Sequence, residues 1–297
     1  MKTKILVTGG QGIIARHIKE KLGNKYDVLN PGRSELDLLN SSEIESYLRS
    51  NKPNTIIHTA NYDAVAKTST KDKSLVLENN LRMFYNLSEF QHLYGTFINL
   101  GSGAEFDRLH WKPKMNENYI GTHIPSDQYG FSKYVVSKYI ELFGHPFYNL
   151  RLFAIFGKYE HWQDRFISNA ICRVINNMPV IINQNVNFDY MYVDDLMKIL
   201  DWFLEYNDPV YNIYNVCTGN VYDLKTITEK IFAVSNKNTG IFIKNLEIGN
   251  EYSGDNRRLI AEMGKFEFEN IDESIEKLYY WYLRNQHIIY EHYINKR

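Results

Sequence analysis

Tyr129 and Lys133 stand four residues apart in "QYGFSK", within a stretch whose apolar spacing predicts a helix over 127–143. At that spacing both side chains share one helix face. An ammonium beside a phenol lowers the phenol's pKa from about 10 toward the working range. Such a tyrosine can pass a proton to a carbonyl oxygen while a hydride reaches the carbon. The pattern alone is a weak signal in a chain with 23 tyrosines, and "YVVSK" (134–138) repeats it. Position strengthens it: Ser102 closes the expected strand "GTFINLGS" (95–102), 27 residues before Tyr129. In a doubly wound sheet the carboxyl end of a strand opens into the ligand crevice.

A second chemical signal is "TGGQGIIA" (8–15), which follows the apolar run Ile5–Thr8 and opens a helix expected over 13–22. Gly9 permits a sharp turn, Gly12 permits close approach of a diphosphate, and Ala15 keeps the helix tight against the sheet. The diphosphate would sit on free N–H groups at the helix N-terminus. The bland alternative is a strand–helix turn that binds nothing. The next strand ends in "VLNPGRSELDLLN", which offers Asn30 and Arg33 where a free ribose diol is usually met by an acid. A guanidinium suits a 2′-phosphate, so NADP(H) is favoured over NAD(H). A solvated turn residue is the other reading of Arg33.

The elements that must position these groups alternate regularly. Strands are expected at 26–30, 54–60, 95–102 and 147–157, with helices at 39–51, 75–93 and 127–143; serines provide the capping signal at the start of the 39–51 helix. The alternation through residue 157 implies an α/β fold, a Rossmann-type doubly wound parallel sheet. Beyond it come a helix at 165–177, "PVIIN", the stretch "VNFDYMYVDDLMKILDWFLEY" (186–206) and a strand at 211–217. Residues 186–219 are expected to rejoin the sheet, while 158–185 and 220–297 form a smaller C-terminal substrate-binding lobe.

Bulk properties exclude other classes. The 297 residues carry a formal net charge of -1, which gives no electrostatic case for nucleic acid or an anionic membrane. No apolar run reaches the roughly 20 residues of a membrane helix, and the N-terminal one is too short for a signal peptide. Cys172 and Cys217 suggest neither a disulfide framework nor a metal site. A cytoplasmic location is the default expectation.

Taken in order, the motifs resemble the extended branch of the short-chain dehydrogenase/reductase superfamily, the NAD-dependent epimerase/dehydratase family. "TGGQGIIA", "IIHTAN" (56–61), "ENNLRMFYNL" (78–87), Ser102, "YGFSK", "LRLFAIFG" (150–157), "YMYVDDL" (190–196) and "YNVCTG" (214–219) match in sequence. The resemblance implies that Gly9, Gln11, Gly12, Ile13 and Ala60 line the cofactor, and that Asp37 and Leu38 flank its adenine. It implies that Ser102, Tyr129 and Lys133 are the catalytic set, that Lys133 also holds the nicotinamide ribose, and that Asn80 supports Lys133 through water. Gly130, following Tyr129, favours that tyrosine over Tyr134.

The pattern is most similar to the GDP-fucose-synthase-like 4-keto sugar-nucleotide reductases, with two departures. Ala104 stands where the epimerising members carry Cys, and Arg165 where they carry His. His161 and His123 are the remaining stand-ins. The resemblance therefore implies NADPH-dependent reduction of a nucleotide-diphosphate 4-keto sugar without epimerisation at C3 or C5, in a homodimer serving polysaccharide biosynthesis. Arg165, Arg257 and Arg258 are candidates for the substrate diphosphate. The rivals are a redox-neutral 4-epimerase, a 4,6-dehydratase, for which Glu105 supplies half of the expected Asp-Glu pair, and a non-catalytic nucleotide sensor.

Overall fold

The computed structural model describes residues 2–62, 71–206 and 208–289. In chain order the strands are β1 (Lys4–Val7), β2 (Asp27–Leu29), β3 (Thr55–His58), β4 (Thr96–Ser102), β5 (Phe147–Leu152), β6 (Ala154–Phe156), β7 (Val180–Asn185), β8 (Asn187–Phe188), β9 (Tyr190–Tyr192), β10 (Ile213–Val216), β11 (Tyr222–Asp223) and β12 (Ile241–Ile248). The α-helices are α1 (Ile13–Leu22), α2 (Ser41–Asn51), α3 (Val76–Ser88), α4 (Gln128–Phe143), α5 (Phe166–Ile175), α6 (Val193–Glu205), α7 (Leu224–Ser235), α8 (Arg257–Met263) and α9 (Ile271–Arg284).

The central sheet has six parallel strands in the order β10-β5-β4-β3-β1-β2. Chain direction across the sheet reverses between β1 and β3, and a doubly wound fold binds its ligand at the carboxyl side of that reversal. Strand periodicity divides the apolar residues between two layers. Ile5 and Val7 face a cluster with Ala15 and Ile18 of α1 and Leu196 and Leu200 of α6. Leu6 and Ile56 face Ile44 of α2, Phe84 of α3 and Ile140 of α4. β3 and β5 are buried at every position, the polar Thr55, His58, Asn149 and Arg151 included.

A second core is built from Ile171 and Val174 of α5, Ile227 and Ile231 of α7 and Ile275 and Leu278 of α9. Several expected boundaries move. The single strand over 147–157 is two: β5 ends level with Ser102, and β6 leaves to pair with β9 in a separate sheet. The segment 186–219 enters the main sheet through β10, while β8 pairs with β11 and β9 with β6, outside it. Leu259 of α8, in the segment assigned to the lobe, packs instead in the first core. Residues 290–297, the end of that segment, lie outside the described residues. The α2 cap is Asn40, whose side chain accepts the Glu43 N–H, and not a serine. The strand β12 was not anticipated; Ile241 and Ile243 at its start pack against the second core and its other residues are exposed.

Candidate active site

Gly9 turns the chain out of β1 with φ 71°, and a Cβ there would lie 2.9 Å from Ala60 Cα at the end of β3. Only glycine combines that conformation with that contact. Thr8 ties the two strand ends together: its Oγ1 accepts the N–H groups of Thr59 and Ala60, each at 3.2 Å. Asn30 steadies the turn by donating to Gly10 O at 3.1 Å. Gly12 caps α1 without a side-chain hydrogen bond, leaving first-turn N–H groups uncommitted, while Ala15 is fully buried against the sheet. An exposed glycine at an uncapped helix N-terminus, beside the sheet's reversal, is a cradle that fits a dinucleotide diphosphate. Gln11 is exposed and Ile13 half-buried beside it.

Arg33 extends from the β2 loop with 69% of its side chain exposed, loosely paired with Asp37 at 3.5 Å. Asp37 also accepts the Leu39 N–H at 3.1 Å. Leu38 turns inward to the core beside Leu48 and Phe84, so it can offer a ligand its backbone but little of its side chain.

The residues proposed from the sequence for proton transfer converge through α4. Asp127 caps the helix by accepting the Gly130 N–H at 2.9 Å. A Cβ at Gly130 would lie 2.7 Å from the Ala104 carbonyl oxygen, so glycine lets the first helical turn dock on the loop that follows Ser102. Lys133, one turn along, is buried; its Nζ donates to Leu100 O on β4 at 2.9 Å and lies 5.9 Å from the Tyr129 ring centre. Burial lowers the Lys133 pKa to about 8, against the opposing pull of Glu105. Behind it, burial first and the Lys133 charge second lower buried His58 to about 3, keeping that imidazole neutral. The rival pair separates: Tyr134 stacks on Phe131, and Lys138 pairs with Glu141 on the exposed face.

Ser102 ends β4 as the cap of a short turn. Its Oγ accepts the Ala104 N–H at 3.1 Å, and its N–H donates to Glu105 Oε1 at 3.0 Å. Glu105 is fully buried, and both carboxylate oxygens are engaged, by Asn149 Nδ2 and by Arg151 Nε at 2.7 Å. The Arg151 guanidinium continues to Asn215 Oδ1 at 2.9 Å. Arg151 and its partners were not anticipated, although an arginine inside the apolar run "FYNLRLF" was a signal, since a buried charge demands a partner. Asn80 is buried, and its amide bonds both backbone groups of Tyr62, at 2.8 and 3.2 Å; this anchors the segment after β3.

Arg258 donates to Ile213 O at 3.0 Å, approaches Glu117 at 3.8 Å and covers the Tyr211 ring at 4.2 Å. Ile213 starts β10 and is level with Asn149, whereas Ser102 is level with Leu152, so this carbonyl lies three residues short of the level of Ser102. Glu117 and the β10 backbone hold Arg258 there. Arg257 is paired with Asp255 and 86% exposed. Arg165 is exposed at the cap of α5. Near it Glu160, raised to about 7 by burial, accepts the Ser168 hydroxyl at 2.6 Å. His161 is 69% exposed beside Asp164, and His123 stacks on His110 at 3.7 Å. Among the described residues no helix is long and apolar enough to cross a membrane, and no cluster of ligating side chains could hold a metal ion.

A model of the NAD dependent epimerase/dehydratase family matches residues 5–217. A GDP-L-colitose synthase from Yersinia pseudotuberculosis is 24% identical over 309 residues, covering 95% of this chain and 99% of its own. A GDP-mannoheptose C4 reductase from Campylobacter jejuni, solved with NADP, superposes with a TM-score of 0.81 at 17% identity, covering 95% of this chain and 98% of its own. A UDP-glucose 4-epimerase from Thermotoga maritima, solved with UDP-glucose, gives 0.81 at 20% identity, covering 95% and 99%.

Proposed function

The chain belongs to the NAD dependent epimerase/dehydratase family, and from that premise we propose that it reduces a nucleotide-diphosphate 4-keto-6-deoxy sugar with NADPH, without epimerising C3 or C5. The observation that carries this reading is the commitment of Glu105. A dehydratase must remove a proton next to the carbonyl, and Glu105 is the carboxylate expected for that work after Ser102. Its two oxygens are taken up by Ser102 N–H, Asn149 and Arg151 in a fully buried network. Ala104 has no proton to transfer, and the Arg165 guanidinium has no lone pair with which to take one. What remains at the crevice is a hydroxyl, a phenol and an ammonium, which suit reduction of a ketone.

NADPH supplies the hydride when bound. The uncapped start of α1 with Gly9, Gln11, Gly12 and Ile13 would hold its diphosphate, and Arg33 would meet the 2′-phosphate. Asp37, Leu38 through its backbone, and Ala60 would line the rest of the cofactor. Ser102 donates a hydrogen bond to the keto oxygen. Tyr129 transfers its proton to that oxygen as the carbonyl becomes an alcohol. Lys133 stabilises the phenolate left behind and holds the nicotinamide ribose. Asn80, gripping Tyr62, keeps the segment after β3 in position beside α3. Arg165 is the guanidinium we assign to the substrate diphosphate. The name of the relative from Yersinia makes GDP-linked sugars the first to test.

The test is a panel of GDP-, CDP-, UDP- and dTDP-linked 4-keto-6-deoxy sugars mixed with the protein and NADPH, followed by loss of absorbance at the reduced nicotinamide band. Consumption of NADPH equal to alcohol formed is expected with one base. Interconversion of 4-epimers with no net consumption would favour the epimerase, and cofactor binding with no turnover of any sugar would favour the sensor.

A further inference from the structure

We propose that Glu105, pinned by Arg151, is a positioning residue that fixes the turn carrying the Ser102 hydroxyl; this rests on the reading of Ser102 given above. The Ser102 N–H donates to Glu105 Oε1 at 3.0 Å, and the Ala104 N–H donates to Ser102 Oγ at 3.1 Å. Serine and glutamate, three residues apart, thus clasp the short turn after β4 from both ends. The backbone of Ser102 is tied by the carboxylate, and its hydroxyl oxygen by the turn itself.

The carboxylate is a fixed anchor. It is fully buried, Arg151 Nε donates to Oε2 at 2.7 Å, and Asn149 Nδ2 donates to both oxygens at 3.1 Å. Arg151 is held in turn at its other two nitrogens, by Ser137 Oγ of α4 at 3.3 Å and by Asn215 Oδ1 of β10 at 2.9 Å. Asn215 Nδ2 donates onward to Met115 O at 2.8 Å and to Asp255 O at 3.1 Å. The end of β4 makes room for the anchor. Gly101 is level with Arg151, and a Cβ at Gly101 would overlap the Glu105 carboxylate and the Asn149 amide. The glycine before Ser102 therefore admits the group that holds Ser102.

The consequence follows from when a donor is ordered. A hydroxyl lends most to a developing oxyanion when it already stands in place and no reorganisation is needed during the reaction. Without Glu105 the turn keeps one of its two ties, and Ser102 must be ordered as the ketone reacts. A carboxylate is a stronger acceptor for an N–H than a neutral oxygen, and Arg151 supplies the counter-charge that lets it stand there buried. Glu105 acts through Ser102 and exchanges no proton with substrate.

Replacing both members of a buried ion pair costs a fold little, so two double variants isolate the tie. Arg151→Met with Glu105→Gln keeps an oxygen that can accept the Ser102 N–H; Arg151→Met with Glu105→Leu keeps none. In the first measurement serines are labelled with 15N, and the Ser102 amide is identified by its loss in Ser102→Ala. In the unaltered protein that amide should exchange slowly with deuterated water; exchange at the rate of an open amide overturns the tie. It should exchange about tenfold faster in the leucine double variant than in the glutamine one, and equal rates also overturn the tie. In the second measurement kcat should be about tenfold lower in the leucine variant than in the glutamine one, with KM the same. The difference should vanish when Ser102→Ala is added to both. Equal kcat values, or a difference that persists with Ser102→Ala, would overturn the proposal. Should no 4-keto sugar nucleotide react with the unaltered protein, the functional reading falls, and amide exchange still decides whether Glu105 holds Ser102.

Discussion

Arg151 Nε donates to Glu105 Oε2 at 2.7 Å, and neither side chain is exposed to solvent. The pair lies directly behind Ser102, whose N–H bonds the other carboxylate oxygen. A buried pair of this kind gains little over an apolar replacement of both partners, but removing one partner strands a charge.

Arg151→Met should therefore destabilise the fold by about 3–5 kcal/mol, since it leaves the Glu105 carboxylate buried with its cation gone. Urea unfolding monitored by far-UV circular dichroism measures it. A loss below about 1 kcal/mol would mean that Asn149 and Ser102 alone satisfy the carboxylate.

Arg33→Ala should weaken NADPH binding roughly tenfold to a hundredfold and leave NADH binding nearly unchanged, because one charge-assisted contact is worth about 1.5–3 kcal/mol. The exposed side chain and its loose 3.5 Å pairing with Asp37 leave it available for that contact. Fluorescence titration of both cofactors decides: equal losses would remove Arg33 from the 2′-phosphate.

Much of this was legible before the fold was known, because strand ends and helix starts announce themselves locally. "TGGQGIIA" carries its own turn chemistry, and Tyr129 with Lys133 carries its helical spacing. What stayed hidden depends on contacts far apart in the chain. Glu105 reads as a turn residue until Arg151, 46 positions on, is seen to meet it. Arg258 reads as a free cation until Glu117 and Ile213 O are seen to hold it.

Lys133 sets a pH limit. Burial depresses its folded pKa to about 8, from an ordinary value of 10.5. Its charge, and the support it gives Tyr129, should fade as pH rises through about 8, so kcat/KM should show a basic limb there. Stability moves the other way. Between about 8 and 10.5 the unfolded chain binds the extra proton, so this group's contribution to stability rises with pH over that window. Lys133→Met should remove the limb along with most of the rate. A wild-type profile flat to pH 10 would contradict the assignment.

Tyr129→Phe should cut kcat by roughly a hundredfold or more with NADPH affinity nearly intact, because it deletes the proton donor and little else. Tyr134→Phe should have little effect, its ring being stacked on Phe131 while the Lys133 ammonium lies over Tyr129. Steady-state kinetics with a binding titration for each variant checks both; the reverse pattern would transfer the role to Tyr134.

The most direct test of the central claim is the reaction of a nucleotide-diphosphate 4-keto-6-deoxy sugar with unlabelled NADPH in deuterated water, with the product read by NMR and mass. The account predicts NADPH consumed one for one, protium delivered to C4, and no deuterium at C3 or C5 beyond a control without protein. Deuterium incorporated at C3 or C5 by the protein, or conversion of the sugar without consumption of NADPH, would contradict it.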